Sequence, residues 1–175
     1  MEKILLVYAP EKGSTERAAK KIAEAFGKEN VVIQLVDNTS VDDIKNSKFC
    51  IFGSSTIGRD TWETKHPNMG WDSLINQLDD IDFTGKTVAL FGLGNQIFYP
   101  DNFVDTMGIM AKKLLKKGAK IVGQWSTEGY EFNASEAEIA RGKFIGLALD
   151  EDNTSEMSDE RIVRWYDEIK NEFSL

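Results

Sequence analysis

Short apolar runs recur along this chain, and each hands over to a helical pattern; that alternation admits few folds. The first instance is the clearest. Ile4, Leu5, Leu6, Val7 and Tyr8 form an unbroken apolar run, the mark of a strand buried on both faces. Pro10 and Gly13 then interrupt regular structure. Ser14 or Thr15 is placed to cap the helix that follows, with Glu16 and Arg17 in its first turn. Strand, glycine loop and helix start in this order aim backbone N–H groups and the positive end of a helix dipole at one point. Such a point suits an anion, most often a phosphate, although an ordinary strand-to-helix turn has the same outline.

The rhythm continues. Val31 to Val36, Phe49 to Gly53 and Thr87 to Phe91 read as further strands, and Ile121 to Trp125 begins a fifth. Val41 to Asn46 reads as a short helix or turn, and Trp71 to Leu78 as an amphipathic helix. A helix capped by Asp101 or Asn102 should run to Lys117 and stop at Gly118. Phe144 to Leu149 is another strand-like run, and Ser158 or Asp159 caps a last helix reaching Phe173. The polar segment Ser126 to Gly142 has no strong period and reads as an insertion in the fifth-strand region. This pattern predicts an α/β fold: a parallel sheet between two helical layers, with right-handed crossovers and a single domain over residues 1–175. Ligands of such sheets bind beyond the C-terminal strand ends, where strand order reverses. Three unusual loops, 9–15, 54–70 and 92–100, each follow a strand and gather on that edge.

Charge and cysteine usage narrow the function. The formal net charge of −8 disfavours nucleic acid and anionic membrane as partners and favours basic protein surfaces. The chain has one cysteine, so no disulfide framework is possible, and a cytoplasmic setting is expected. Cys50 lies in an apolar run and reads as a core residue. The start MEKILLVYA is too short for a signal peptide, and no apolar run reaches membrane-spanning length. His66 is the only histidine, so a metal site has little support. No nucleophile–base pair or paired carboxylates can be defended.

The stretches FGLGNQIFYPDNF (91–103), GQWSTEGYEF (123–132) and GKFIGLALDEDN (142–153) resemble flavodoxins of the long-chain type, small electron shuttles that carry FMN. The resemblance spans nearly the whole chain. It implies a flavodoxin-like three-layer α/β/α fold, a five-stranded parallel sheet in the order 2-1-3-4-5, and an insertion in the fifth strand. It also implies that three loops hold FMN. The phosphate loop departs from the family's Ser/Thr-x-Thr-Gly-x-Thr. Here it reads Pro10, Glu11, Lys12, Gly13, Ser14, Thr15, so two hydroxyl positions are replaced while the glycine and the last two hydroxyls stay. Pro10 has no N–H to offer. Glu11 brings a negative charge, and Lys12 either offsets it at the phosphate or faces water with it.

In the second loop, Ser55, Thr56, Ile57 and Gly58 match the family without a gap, which sets Ile57 against the flavin and Gly58 beside its N5. A second alignment, with a gap, places Trp62 and Glu63 there instead. The third loop supplies Leu93, Gly94, Asn95, Tyr99, Asn102 and Phe103, with Tyr99 matching the tyrosine that stacks on the outer flavin face. Asp150 and Asp152 follow from the resemblance on the ribityl side, with a plain solvated turn as the other reading. The implied function is low-potential transfer of single electrons between a flavodoxin reductase and acceptor enzymes, by a monomer that is a carrier and not an enzyme. One unit charge about 10 Å from an added electron opposes it by roughly 1.7 kcal/mol at an effective dielectric of 20. Two other readings stay open at this point. An FMN oxidoreductase would use the space left by Ile57 for a small substrate. An interaction module would have lost tight FMN binding through the altered phosphate loop.

Overall fold

The structure is a computed structural model and describes residues 2–56 and 70–175. Four parallel strands form its centre: β1 (Ile4–Tyr8), β2 (Val31–Leu35), β3 (Phe49–Ser55) and β4 (Thr87–Leu93). β1 lies between β2 and β3, and β3 pairs with β4. Every residue of β1 and β4 is buried, as the apolar runs require. The sheet order is β2-β1-β3-β4-β5, as expected from the resemblance.

The helices follow from spacing. α1 (Ser14–Ala25) buries Thr15, Ala18, Ala19, Ile22 and Ala23, one stripe at helical period. α2 is Val41–Lys45, α3 is Trp71–Ile75, α4 is Asp105–Lys116 and α5 is Ser158–Ile169. The crossover from β1 to β2 runs one way and those from β3 onward run the other. Right-handedness therefore sends α1 to one face and α4 to the opposite face. α5 joins α1, where Phe26 meets Trp165, Tyr166 and Phe173 edge-on.

The fifth strand is composite. β5 (Lys120–Val122) pairs with Thr87–Ala89 of β4, and β9 (Leu147–Leu149) pairs with Phe91–Leu93 further along the same strand. The chain between them leaves the sheet and forms a small antiparallel one from β6 (Trp125–Ser126), β7 (Glu138–Ala140) and β8 (Lys143–Phe144). Two expectations are corrected here. The strand begun at Ile121 does not reach Trp125, which pairs with Phe144 in the small sheet. The run Phe144 to Leu149 is divided between the two sheets.

The expected local caps are corrected too. α1 starts at Ser14 after Gly13, and no side chain caps it. α4 starts after Val104, not at Asp101 or Asn102, because its cap comes from elsewhere: the Thr106 N–H donates to the Thr56 hydroxyl at 3.0 Å. α5 starts after Met157 without a side-chain cap. A capping box, Ser40 with Asp43 on α2, went unremarked in the sequence.

The insertion docks on α4 by backbone. A Cβ at Gly108 would stand 2.2 Å from the Glu136 carbonyl, closer than any real contact. Gly108→Ala should therefore cost about 1–3 kcal/mol of stability through overpacking. Urea unfolding of the two proteins tests this; equal midpoints would mean that the insertion lifts away freely.

Candidate cofactor-binding site

β1, β3, β4 and β9 all end at one edge, because Tyr8 is level with Gly53, Ser55 with Leu93, and Leu93 with Leu149. Strand order reverses between β1 and β3, so the loop after β1 opens at the switch point. Lys12 and Gly13 both have positive φ there, 66° and 81°. Glycine adopts this region without strain, and a Cβ at Gly13 would meet nothing within 4 Å. The loop thus opens to solvent where the N–H groups of the first turn of α1 point. With no side chain capping them, these donors fit an anion.

Glu11, Lys12 and Gly13 are exposed, Ser14 is half-buried and Thr15 is buried. The Lys12 N–H donates to a Glu16 carboxylate oxygen at 2.7 Å. Glu16 also pairs with Lys20, and these two contacts, the Lys20 bond first, hold its carboxyl below the usual range. The Ser14 hydroxyl accepts from Arg17 at 3.0 Å. Lys20 and Arg17 thus sit within two turns of the helix start.

After β3, Ser55 is half-buried at the strand end. Thr56 is 6 % exposed, and its hydroxyl is committed to Thr106 of α4 as acceptor and donor. Ile57, Gly58, Trp62, Glu63 and His66 lie outside the described residues. Trp71 is described and buried; its indole N–H donates to the Gly53 carbonyl at 2.7 Å, beneath this edge.

The loop after β4 is held by a set of side-chain hydrogen bonds. Leu93 is buried, and the Gly94 N–H donates to the Leu149 carbonyl. The Asn95 side chain closes a turn on itself: its carbonyl accepts from the Ile97 and Phe98 N–H groups at 3.1 and 2.8 Å. Its amide donates to Asp152 at 3.0 Å, which brings Asp152 into the site by way of Asn95. Ile97, Phe98 and Tyr99 stand out from this turn, and Phe98 is 77 % exposed. Tyr99 thereby presents an open ring at the same edge as the α1 loop.

Two further expected residues make contacts within the protein. The Phe103 ring is fully buried against Tyr130, Phe132 and Phe144, so it anchors the insertion. Asn102 is turned to Asp105, whose carboxylate it reaches at 2.9 Å. A residue that sequence reasoning left undecided proves central. Asp150 is completely buried at the end of β9, and its carboxylate accepts from Gln96, Asp152 and Asn153. Behind it, Arg161 lies 4.2 Å over the Tyr130 ring and donates to Thr154, while the Tyr130 hydroxyl donates to the Ala148 carbonyl.

A parallel sheet with an open loop at its switch point and an exposed aromatic at the same edge has the outline of a nucleotide-binding α/β protein. Comparison with known proteins narrows this. The family profile described as Flavodoxin matches residues 6–165. The chain is 44% identical over 174 residues to a flavodoxin of Nostoc sp. strain PCC 7120, covering 99% of each. It is 40% identical over 170 residues to flavodoxin 2 of Escherichia coli strain K12, covering 97% of this chain and 95% of that one. Among solved structures, a variant of Fusobacterium nucleatum flavodoxin bound to flavin mononucleotide superposes with a TM-score of 0.86 at 35% identity, covering 98% and 97% of the two chains. The chain belongs to the flavodoxin family, and its function is that of an FMN-binding electron carrier, not an enzyme. Among the described residues no helix is long and apolar enough to cross a membrane.

Burial pushes the Tyr130 phenol up to about 12, against an ordinary value near 10. Keeping it neutral therefore stabilises the fold below about pH 10, and that contribution is lost as pH rises through about 12. An alkaline absorbance titration of the native protein should show a tyrosine ionising near pH 12, absent from Tyr130→Phe. Identical titrations would contradict the buried placement of this ring.

Proposed function

We propose that FMN lies at this edge with its phosphate on the amides of Gly13, Ser14 and Thr15, and that the protein carries single electrons at low potential between a reductase and acceptor enzymes. The observation that carries this reading is the uncapped start of α1 at the same strand edge as the open Tyr99 ring. Bound FMN supplies reversible one-electron chemistry. The chain's own residues do the rest. The first-turn amides of α1 hold the phosphate, and Lys12 adds the positive charge that the replaced hydroxyls do not. Tyr99 offers its ring to one flavin face, and Asn95 keeps the turn that presents it. Ser55, at the end of β3, borders the flavin from the other side of the phosphate loop; Ile57–Gly58 or Trp62, which the resemblance sets against the flavin, lie outside the described residues.

Asp152, Glu151, Asp101 and Glu131 lie in or beside the loops of this edge, and all four are at least partly exposed. Their charges oppose added negative charge on the cofactor, which favours a strong donor. They also suit redox partners with basic surfaces, met in brief, salt-sensitive encounters in the cytoplasm.

The direct test is to purify the protein with FMN, record its visible spectrum and titrate it with a reductant. A colourless protein that takes up no FMN would sink the reading. Tyr99→Ala should weaken FMN by about 1–3 kcal/mol and brighten the bound flavin, since a stacked tyrosine quenches it. Lys12→Ala should weaken FMN more at low salt than at high salt, because exposed ion pairs are screened. Affinity that ignores both the substitution and the salt would show Lys12 turned to water.

A further inference from the structure

Resting on the reading that FMN occupies this edge, we propose that Asp150 is a positioning residue: its buried carboxylate fixes the 94–99 loop that carries Tyr99 to the turn after β9.

The geometry is specific. Asp150 is 0% exposed at the end of a three-residue strand that returns from the insertion. One carboxylate oxygen accepts the Gln96 N–H at 3.0 Å. The other accepts the N–H groups of Asp152 and Asn153 at 3.2 and 3.1 Å. The Asn153 amide then bridges the two loops, donating to Asp150 and, at 3.0 Å, to the Asn95 carbonyl oxygen. That same Asn95 oxygen receives the Ile97 and Phe98 N–H groups. Backbone donors at 96, 97 and 98 are therefore satisfied through one connected set of side chains centred on Asp150. The Tyr99 N–H closes the turn on the Asn95 backbone carbonyl at 2.9 Å.

A carboxylate with no solvent contact is costly to bury unless its oxygens are saturated by donors, and here they are. Among the described residues no cation lies within salt-bridge distance of it. Its donors are thus the amides of the two loops themselves. The charge can stay buried only while both loops keep this arrangement, so the arrangement is held on both sides. An asparagine of the same shape at 150 would turn a donor toward amides that need an acceptor, leaving buried donors unpaired.

The test uses the full chain with and without FMN, and three proteins: the parent, Asp150→Asn and Asn153→Ala. Hydrogen exchange on the FMN-free proteins reads positioning directly. Asp150→Asn should speed exchange of the 96–98 amides while those within β4 stay slow. Asn153 is exposed, so Asn153→Ala keeps the fold intact and should speed exchange at 97 and 98 if the bridge holds the turn. With FMN, Asp150→Asn should weaken binding at least roughly tenfold, the scale of one hydrogen bond to a charged group. It should also recover flavin fluorescence as Tyr99 loses its place. Unchanged exchange at 96–98 in both variants overturns the proposal. If Asp150→Asn does not fold, the Asn153→Ala exchange pattern decides alone. A parent protein that binds no FMN would overturn the functional reading, while the exchange data would still judge the role of Asp150.

Discussion

Burial of β1, β3 and β4 on both faces is the constraint on which the rest of this molecule depends. A strand covered on both sides can satisfy its backbone only through its neighbours in the sheet. Parallel pairing satisfies those groups along the strands and leaves the ends unsatisfied. Polar chemistry is thereby driven to the edges. The connections must travel the length of a helix before returning, so every loop after a strand falls at the same end. The turn closed by Asn95 and the buried carboxylate of Asp150 are two solutions to one problem, satisfying backbone donors where the sheet stops, while the uncapped start of α1 leaves its donors open.

The insertion shows what the same constraint permits. A break in a central strand would orphan both of its neighbours. The fifth strand has only β4 beside it, and its gap falls opposite Leu90, between the segments paired to Thr87–Ala89 and Phe91–Leu93. The excursion builds its own sheet and a second aromatic cluster around Phe144, with Phe103, Tyr130 and Phe132 against it. Its backbone rests on α4 at Gly108, and its return strand delivers Asp150 to the functional edge. The insertion is therefore coupled to the cofactor loops through its exit, whatever else its outer surface does.

Much of this was legible in the sequence, and the misses share a cause. Unbroken apolar runs such as Ile4–Tyr8 and the strand-to-helix rhythm carry the parallel sheet, because their signal is local and repeated, while its strand order came from the resemblance. Thr56 and Phe103 make long-range contacts that were not legible. Both sit in stretches that resemble cofactor loops, yet one caps α4 from fifty residues away and the other fills the core under the insertion. The N-terminus of α4 was misplaced for the same reason, since a cap supplied by another strand leaves no trace beside the helix. The composite fifth strand was blurred because two three-residue strands are defined by what they pair with, not by their own pattern. Asp150 followed an apolar run and looked like a turn acid; only its burial reveals the donors around it.

The charges of the molecule resolve an apparent conflict. A chain with 29 acidic and 21 basic side chains must hold a phosphate dianion. Two interactions of different range make this possible. Helix-end amides act within the first turn, and Lys12, Arg17 and Lys20 lie close to that turn. The acidic excess acts over a Debye length, about 8 Å at physiological ionic strength, and is spread over the surface. Near the phosphate loop the short-range donors dominate. Around Asp150 and Asp152 the acids dominate, and there the amides of the 94–99 turn and of the 150–154 turn already neutralise the buried carboxylate. One fold edge can therefore attract an anionic group at one end and oppose added negative charge at the other.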